Sequence, residues 1–291
     1  MNILGTGLSG LVGSRIVELL KDKHTFENLS LETGVDITDY KGLYDRIIAS
    51  SALWVWHFAA KTDVDGCEKE KYLGEKSEAW RVNVTATENI TKLCKKTGKQ
   101  LLYLSTDFVF DGTKNVYREE DIPNPQSWYA KTKYEAEKRV MQLGQKGLIV
   151  RIAYPYRAHI GKKPDFVHKM LSLLQSGAEV SAPQDQQKTP TFIDDIALGL
   201  FCLTSINATG VYHIVGSGWV SPFDAAKKIA ATFDIKDPHI KPVSFREYNK
   251  GRAPRPLHAY LANDKITKLG IKMSSLDEGL EKVKTQLGKL V

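Results

Sequence analysis

The chain has 291 residues, of which 42% are hydrophobic and 26% are charged, and its formal net charge is +7 at pH 7. This length corresponds to roughly two average domains, or to one large α/β unit with an added lobe. The ordinary composition excludes a disordered chain and a low-complexity polymer. Because the lysines are scattered along the chain, the positive charge favours phosphate-bearing ligands and does not indicate a nucleic-acid surface.

Several features predict a cytoplasmic protein without a membrane partner. No run of 18 uncharged apolar residues is present, and the N-terminal sequence lacks the basic region of a signal peptide. The three cysteines, Cys67, Cys94 and Cys202, are too widely spaced for a disulfide ladder or a CxxC pair. The histidines show no metal-ligand spacing, so we expect no metal site.

The first half of the chain alternates short apolar runs with helical periodicity, which is typical of βαβ units. The patterns predict strands at residues 2–5, 53–58, 100–105 and 147–152, and helices at residues 11–20, 39–49, 75–96 and 128–143. The run at 53–58 is almost entirely apolar, as expected for a strand covered on both faces. The predicted fold is therefore α/β, with a Rossmann-type, doubly wound parallel sheet.

Beyond residue 151 the alternation becomes less regular. Helical patterns occur at 166–175, 192–203, 222–233 and 276–287, a strand pattern occurs at 211–215, and the proline-rich segment 235–262 is predicted to be irregular. We therefore expect a dinucleotide-binding domain at 1–151 and a smaller C-terminal α/β substrate lobe at 152–291. Residues of about 185–215 are expected to return to the first domain.

A glycine-rich loop follows the first predicted strand and opens the first predicted helix. The segment Gly5–Gly13 contains the GxGxxG spacing and a further glycine three residues later. Glycines at these positions let the backbone turn tightly and approach a pyrophosphate at the helix N-terminus. The acid that would bind the adenosine ribose is ambiguous, with Glu27 and Glu32 as candidates, so NAD and NADP remain open.

Tyr129 and Lys133 lie four residues apart on a predicted helix and therefore on one face of it. An ammonium beside a phenol favours the phenolate, which predicts a lowered pKa for Tyr129 and a role in proton transfer to a carbonyl oxygen. The hydroxyls of Ser105 and Thr106 end a strand upstream. Since ligands of open α/β sheets bind at the carboxyl ends of the strands, we expect these groups to meet there. His57, in a neighbouring strand, is predicted to be a packed core residue.

Longer motifs span nearly the whole chain. They are Thr6-Gly7-x-x-Gly10-x-x-Gly13, Asp36-Ile37-Thr38, Ala59-Ala60-Lys61-Thr62-Asp63-Val64-Asp65-x-x-Glu68, Val82-Asn83, Ser105-Thr106-Asp107-Phe108-Val109-Phe110-Asp111-Gly112, Tyr129-x-x-x-Lys133, Asp185-Gln186 with Thr189-Pro190-Thr191, and Arg255-Pro256. With these motifs the chain resembles the extended short-chain dehydrogenase/reductase family, and within it most closely the dTDP-4-dehydrorhamnose reductases. The motifs at 105–112 and 185–191 are the specific ones.

The resemblance implies an NADPH- or NADH-dependent reduction of the 4-keto group of a nucleotide-activated 6-deoxyhexose. It implies that Tyr129 donates the proton, that Lys133 is its pKa partner and a ribose contact, and that Thr106 holds the ketone. Asn83 would position a water or support the helix around Lys133. The implied cofactor-binding residues are Gly7, Ser9, Gly10, Leu11, Val12, Asp36, Ile37, Ala59, Ala60, Lys61, Thr62, Leu104, Tyr129 and Lys133. The implied substrate-binding residues are Thr106, Asp107, Tyr154 and Arg255.

The chain departs from the family pattern mainly on the substrate side. Lys61 replaces an aromatic residue or histidine, Tyr154 replaces tryptophan, Lys188 replaces glycine, and His258-Ala259 replaces Asn-Ser. These departures leave the reducing chemistry intact and put the sugar and nucleotide preference in doubt.

Two alternatives remain open at this point. One is a nucleotide-sugar epimerase or dehydratase of the same superfamily, which would regenerate its nicotinamide in each turnover. The other is a non-catalytic, NAD(P)-binding regulatory subunit resembling that of methionine adenosyltransferase. For the main interpretation, the expected partner is a dTDP-linked nucleotide sugar, and family analogy indicates a homodimer.

Overall fold

The computed structural model of the protein describes residues 1–288, which contain ten strands and twelve α-helices. The strands are β1 (Asn2–Thr6), β2 (Thr25–Leu29), β3 (Trp54–His57), β4 (Gln100–Thr106), β5 (Gly147–Ile152), β6 (Pro155–Tyr156), β7 (Val180–Pro183), β8 (Thr191–Phe192), β9 (Gly210–His213) and β10 (Ile240–Val243). The helices are α1 (Leu11–Leu20), α2 (Tyr40–Ala49), α3 (Val64–Lys69), α4 (Glu78–Trp80), α5 (Ala86–Thr97), α6 (Trp128–Met141), α7 (Phe166–Gln175), α8 (Ile193–Ser205), α9 (Pro222–Thr232), α10 (Phe245–Tyr248), α11 (Asp264–Thr267) and α12 (Leu276–Gly288).

Six strands form one sheet in the order β2-β1-β3-β4-β5-β9, and every neighbouring pair is parallel. This arrangement confirms the predicted α/β fold class with its doubly wound parallel sheet. The chain winds in opposite directions from β1, towards β2 on one side and β3 on the other. Such a switch point opens a crevice at the carboxyl ends of the two diverging strands, where ligands of this fold class bind.

Alternate residues of each central strand face the two helical layers of the sheet. Trp54 and Trp56 are buried together with Ile16 of α1 and Leu200 of α8. The intervening Val55 packs on the opposite face, in the cluster formed by α2, α5 and α6. Both faces of the strand are therefore covered, which explains its nearly continuous apolar sequence.

The second half of the chain adds a smaller lobe with its own apolar cluster. Helices α7, α9 and α12 pack around the two-stranded sheets β10-β7 and β6-β8, with Tyr156, Phe192, Ile229 and Leu280 fully buried. The expectation of irregular structure over 235–262 is partly wrong, because β10 and α10 lie within it. Pro242 is accommodated because β10 is an edge strand with a single neighbour.

The boundaries of one predicted helix need correction. The pattern at 75–96 predicts one continuous helix, but the helix begins at Glu78, where the Ser77 hydroxyl accepts a hydrogen bond from the Trp80 N–H at 3.2 Å. It then passes through a π-helical turn at Arg81–Thr85 before α5. Turns of this kind occur frequently at functional sites.

Within residues 1–288, no helix combines the length and apolar character needed to cross a membrane. The same part of the chain contains no group of three or more histidine, cysteine, aspartate or glutamate side chains placed to hold a metal ion.

A buried histidine connects three elements beneath the switch point. His57 of β3 is fully buried and hydrogen-bonds Thr6 of β1 at 2.6 Å and Thr87 of α5 at 2.9 Å. Burial lowers the pKa of His57 from 6.5 to about 3, with a smaller contribution from Lys133. His57 is thus the core residue that the sequence predicts.

This lowered pKa predicts acid sensitivity. Between pH 6.5 and about 3 the unfolded chain protonates His57 and the folded chain does not, so stability is lost as the pH falls. We expect His57→Asn to reduce the pH dependence of the unfolding free energy by about 1.4 kcal/mol per pH unit. Urea unfolding at pH 7, 6 and 5 measures this slope, with His239→Asn at an exposed position as the control. Equal slopes in wild type and His57→Asn would contradict the assignment.

Candidate active site

The glycine loop between β1 and α1 lies at the switch point and touches the loop after β3. Gly7 has a φ of +69°, and a Cβ there would lie 2.4 Å from the backbone nitrogen of Ala59. A Cβ on Gly13 would lie 2.5 Å from the Gly7 carbonyl oxygen. Gly10 is exposed at the N-cap of α1 and provides no side-chain cap. The first-turn N–H groups of Leu11 and Val12 therefore remain available to a pyrophosphate, and these residues fit a dinucleotide.

The predicted adenosine-binding residues follow β2 in the turn towards α2. The Asp36 carboxylate accepts two hydrogen bonds from Thr38, both at 2.8 Å, and these bonds lower the pKa of Asp36. Ile37 is half-buried against the core. The two ribose candidates are engaged elsewhere, because Glu27 pairs with Arg46 and Glu32 pairs with Lys162.

The segment Ala59–Thr62 follows β3 at the same edge of the sheet and includes the predicted nicotinamide-side contacts. The Lys61 N–H donates to Asn83 Oδ1 at 2.8 Å, and the Lys61 carbonyl accepts from Asn83 Nδ2 at 3.1 Å. The Lys61 ammonium pairs with Glu78. Glu78 and Asn83 thereby hold the side chain and the backbone of Lys61, in the loop whose Ala59 lies against Gly7.

Asn83 supports helix α6 directly. Its Nδ2 also donates to the Thr132 hydroxyl of α6 at 2.9 Å, and its side chain is buried within the π-helical turn. Of the two roles that the resemblance allows, this geometry favours support of the helix around Lys133. One side chain therefore connects the nicotinamide-side loop with the helix that carries Tyr129.

Removal of this connection is expected to affect stability and cofactor binding together. Asn83→Ala leaves the Lys61 N–H and C=O without their partner, so we expect unfolding to become easier by about 3 kcal/mol and NADPH affinity to fall roughly 10-fold. Urea unfolding and fluorescence titration with NADPH measure the two effects. Asn89→Ala, on the same helical run with one bond of 3.4 Å to Thr38, serves as the control. An unchanged NADPH affinity would contradict the positioning role of Asn83.

The N-terminus of α6 is fixed by Ser127, which the sequence patterns do not single out, and by Glu68, which ends one of the quoted motifs. Ser127 caps the helix by accepting from the Ala130 N–H at 3.3 Å, and Glu68 of α3 accepts from the Trp128 N–H at 2.7 Å. The Trp128 ring stacks on Trp80, with ring centroids 5.8 Å apart. These contacts place Tyr129 in the first turn of α6, where it is only 7% exposed.

The pKa of Tyr129 corrects a sequence-based expectation. Proximity to Lys133 predicts a lowered pKa, but burial raises it above the ordinary value of 10, and the hydroxyl of Thr106 offsets only part of the increase. Asp107 adds a further increase. Desolvation of the phenolate outweighs the hydrogen bond from Thr106, so Tyr129 is a protonated phenol at neutral pH. A protonated phenol is the form that a proton donor requires.

Lys133 lies one turn further along α6 and is 3% exposed. Its ammonium donates to the Leu104 carbonyl of β4 at 2.7 Å and lies 4.1 Å from the centre of the Tyr103 ring. Burial lowers the pKa of Lys133 to about 7, and Glu137 opposes that shift. The pair Tyr129 and Lys133 is thus buried against the carboxyl end of β4 and does not face solvent.

Thr106 and Asp107 end β4 beside the phenol. The Thr106 hydroxyl accepts from the Phe108 N–H at 3.3 Å and donates to Asp107 Oδ1 at 3.0 Å. Asp107 is 2% exposed, its Oδ2 is buried without a hydrogen-bond partner among the described residues, and burial raises its pKa to about 7. The structure therefore brings a hydroxyl and a carboxyl group to the same point as Tyr129.

The substrate-side residues come from three separate segments. Tyr154 follows β5 with a φ of +41°, an unusual backbone conformation for a tyrosine, and its ring lies 6.4 Å from that of Phe108. The Arg255 guanidinium forms a bidentate ion pair with Asp65, in which Nη1 donates to Oδ1 at 3.0 Å and Nη2 donates to Oδ2 at 2.7 Å. Tyr154 joins the cluster at the end of β4, whereas Arg255 is held by a carboxylate.

The family model described as the RmlD substrate binding domain matches residues 1–288. The chain is 31% identical over 264 residues to the dTDP-4-dehydrorhamnose reductase of Mycobacterium tuberculosis (strain ATCC 25618 / H37Rv), covering 88% of this chain and 83% of that protein. It is also 30% identical over 221 residues to methionine adenosyltransferase 2 subunit beta of Xenopus laevis, covering 74% of this chain and 64% of that protein.

The fold is also similar to a solved structure with a bound cofactor. This structure is dTDP-4-dehydrorhamnose reductase from Bacillus anthracis str. Ames in complex with NADP. It matches with a TM-score of 0.88 and 29% sequence identity, covering 98% of this chain and 99% of that chain. The similarity therefore extends over both the sheet and the smaller lobe.

Proposed function

The chain belongs to the family of the RmlD substrate binding domain, and from this premise we propose that it reduces the 4-keto group of a nucleotide-activated 6-deoxyhexose with NADPH or NADH. The sugar substrate is proposed to be dTDP-linked. The relatives named dTDP-4-dehydrorhamnose reductase, one of them solved with NADP, support the reaction and the cofactor class.

The observation that carries the proposal is the arrangement around Tyr129. A buried, protonated phenol, a buried lysine and the Thr106 hydroxyl converge at the carboxyl end of β4. This end of the sheet is adjacent to the switch point, where the glycine loop leaves a helix N-terminus free. A protein that only binds a dinucleotide has no chemical need for this combination.

Each residue has a distinct task in the proposed reaction. A reduced nicotinamide, when bound, supplies the hydride to the carbonyl carbon of the sugar. Tyr129 gives its phenolic proton to the oxygen that becomes the alcohol, and Thr106 holds that oxygen by a hydrogen bond. Lys133 stabilises the phenolate that remains. Asp107, with one free buried oxygen, accepts a hydrogen bond from a neighbouring sugar hydroxyl.

The remaining expectations from the sequence are retained as proposals. The division at residues 151 and 152, with 185–215 returning to the first domain, agrees with the pairing of β9 with β5. We also propose that the protein forms a homodimer, by analogy with the family. A reducing cellular compartment is proposed because the three cysteines form no disulfide.

A spectrophotometric assay tests the proposal. Purified protein is mixed with dTDP-4-dehydrorhamnose and NADPH, or with NADH, and the cofactor absorbance is followed at about 340 nm, where the reduced nicotinamide absorbs. We expect stoichiometric consumption of the reduced cofactor and formation of a dTDP-6-deoxyhexose. A new sugar isomer without net consumption would instead indicate an epimerase.

The similarity to methionine adenosyltransferase 2 subunit beta favours one second candidate, a non-catalytic subunit that binds NAD(P). The two candidates differ in a simple way. A non-catalytic subunit binds NADPH and leaves it unconsumed with every keto sugar supplied. If the protein binds NADPH but does not consume it in the same assay, the result would therefore favour the non-catalytic subunit.

A further inference from the structure

Lys188 is a basic residue at the substrate-side cluster for which the reaction described above has no use. It lies in the segment between β7 and β8, where its backbone pairs with Val220 in both directions at 3.0 and 2.9 Å. The residue is half-buried, and its ammonium lies 4.3 Å from the centre of the Tyr154 ring. No oxygen within residues 1–288 accepts a hydrogen bond from this ammonium, which leaves its three donors available to a ligand.

Asp107 connects this ammonium electrostatically with the candidate site. Asp107, whose Oδ2 is buried and unpaired within the described chain, attracts Lys188, and the same carboxyl group lies close enough to Tyr129 to affect its pKa. Tyr154 holds its ring under the ammonium with a left-handed backbone conformation. Val220, Tyr154 and Asp107, which come from three different segments, thus surround Lys188.

The charge distribution indicates an anionic ligand. Arg252 and Arg255 also lie near Lys188, and both disfavour its charged form. The charge of Arg255 is compensated by its ion pair with Asp65, and one of its amino groups also donates to the Ala253 carbonyl. Lys188 is therefore left as a cation with no compensating hydrogen-bonded partner in residues 1–288.

We propose that Lys188 binds the diphosphate of the nucleotide-sugar substrate and so acts as a substrate-binding residue. The inference rests on the proposed function, because it takes the ligand to be a nucleoside diphosphate sugar. Charge-assisted hydrogen bonds from lysine to phosphate oxygens are strong in such partly buried sites. Arg255, which the resemblance places among the substrate-binding residues, is less available for this contact because its guanidinium is occupied by Asp65.

Isothermal titration calorimetry with dTDP tests the inference without turnover. We expect Lys188→Met to weaken dTDP binding by roughly 10- to 100-fold and to leave NADPH binding unchanged. UDP is expected to lose affinity by a similar factor, because the contact is to the diphosphate. Lys265→Met is the matched control, since Lys265 also stacks on a tyrosine, Tyr212 at the edge strand β9, at 3.9 Å.

The pH dependence gives a second readout. Burial lowers the pKa of Lys188 to about 8, Asp107 raises it, and Arg255 and Arg252 lower it further. The ammonium is charged below this pH and neutral above it, so dTDP affinity should fall as the pH rises from 8 to 9.5. In Lys188→Arg, which stays charged, this decline should be absent.

The outcomes separate the inference from the proposed function. Equal dTDP affinity in wild type and Lys188→Met overturns the inference, even if the wild type consumes NADPH with the keto sugar. A loss confined to dTDP-glucose, with dTDP unaffected, also overturns it and places Lys188 on the sugar. If Lys188→Met weakens dTDP binding but the wild type consumes no NADPH with the keto sugar, the inference is supported and the proposed reaction is contradicted.

Discussion

Tyr129→Phe is expected to lower kcat by roughly 100-fold or more, because it removes only the phenolic oxygen that donates the proton. The ring remains in place against Phe108, which packs edge-on at 5.9 Å. NADPH affinity should therefore stay close to that of the wild type. Steady-state assays with dTDP-4-dehydrorhamnose and fluorescence titration with NADPH measure the two quantities separately.

The raised pKa of Tyr129 adds a pH criterion to this experiment. Since burial keeps the phenol protonated through neutral and mildly alkaline pH, loss of its proton should not limit the wild-type rate below pH 9. Tyr134→Phe, five residues further along α6 and half-buried, is the matched control and should keep wild-type turnover. Wild-type kcat in Tyr129→Phe would exclude Tyr129 as the proton donor.

The sequence predicts the central sheet well because its signals are local. Each core strand is a short apolar run, and the glycine loop needs backbone conformations that only its own residues determine. Strand β2 escapes prediction for the same physical reason. Its sequence, Thr25–Leu29, contains three polar residues, and it is an edge strand with exposed positions, so no apolar run marks it.

Helix boundaries depend on capping side chains and on small changes of winding. Asp39 accepts hydrogen bonds from two N–H groups of α2, so the start of that helix is visible in the sequence. The helix that contains Asn83 is less predictable, because a π-helical turn shifts the register by one residue without changing the apolar pattern. The orientation of Asn83 towards Thr132 follows from that shift and needs the structure.

The chemistry of the candidate site is only partly contained in the sequence. The spacing of Tyr129 and Lys133 places both on one face of a helix, but the sign of the pKa shift of Tyr129 depends on how deeply other elements bury it. The environment of Lys188 is even less predictable from the sequence. Its neighbours Asp107 and Tyr154 follow different strands, and only the tertiary fold brings the three side chains together.

Lys133→Met tests the second half of the catalytic pair. Methionine fills most of the volume of the lysine and removes the ammonium that donates to the Leu104 carbonyl. We expect kcat to fall by roughly 100-fold, because the phenolate of Tyr129 loses the cation proposed to stabilise it, and NADPH affinity to fall roughly 10-fold, because the proposed ribose contact is lost. Lys131→Met, at an exposed position of the same helix, should change neither quantity.

The pH profile distinguishes a catalytic role of Lys133 from a structural one. Burial lowers the pKa of Lys133 to about 7, so its charged fraction decreases as the pH rises through 7. If the charged form supports proton donation, kcat/KM of the wild type falls on the alkaline side of pH 7, since this ratio reports the free enzyme. Lys133→Met should lack this decline while retaining a wild-type melting temperature within a few degrees. A variant that keeps the decline, or that loses NADPH affinity with unchanged kcat, would show that Lys133 serves binding alone and that another group controls the proton.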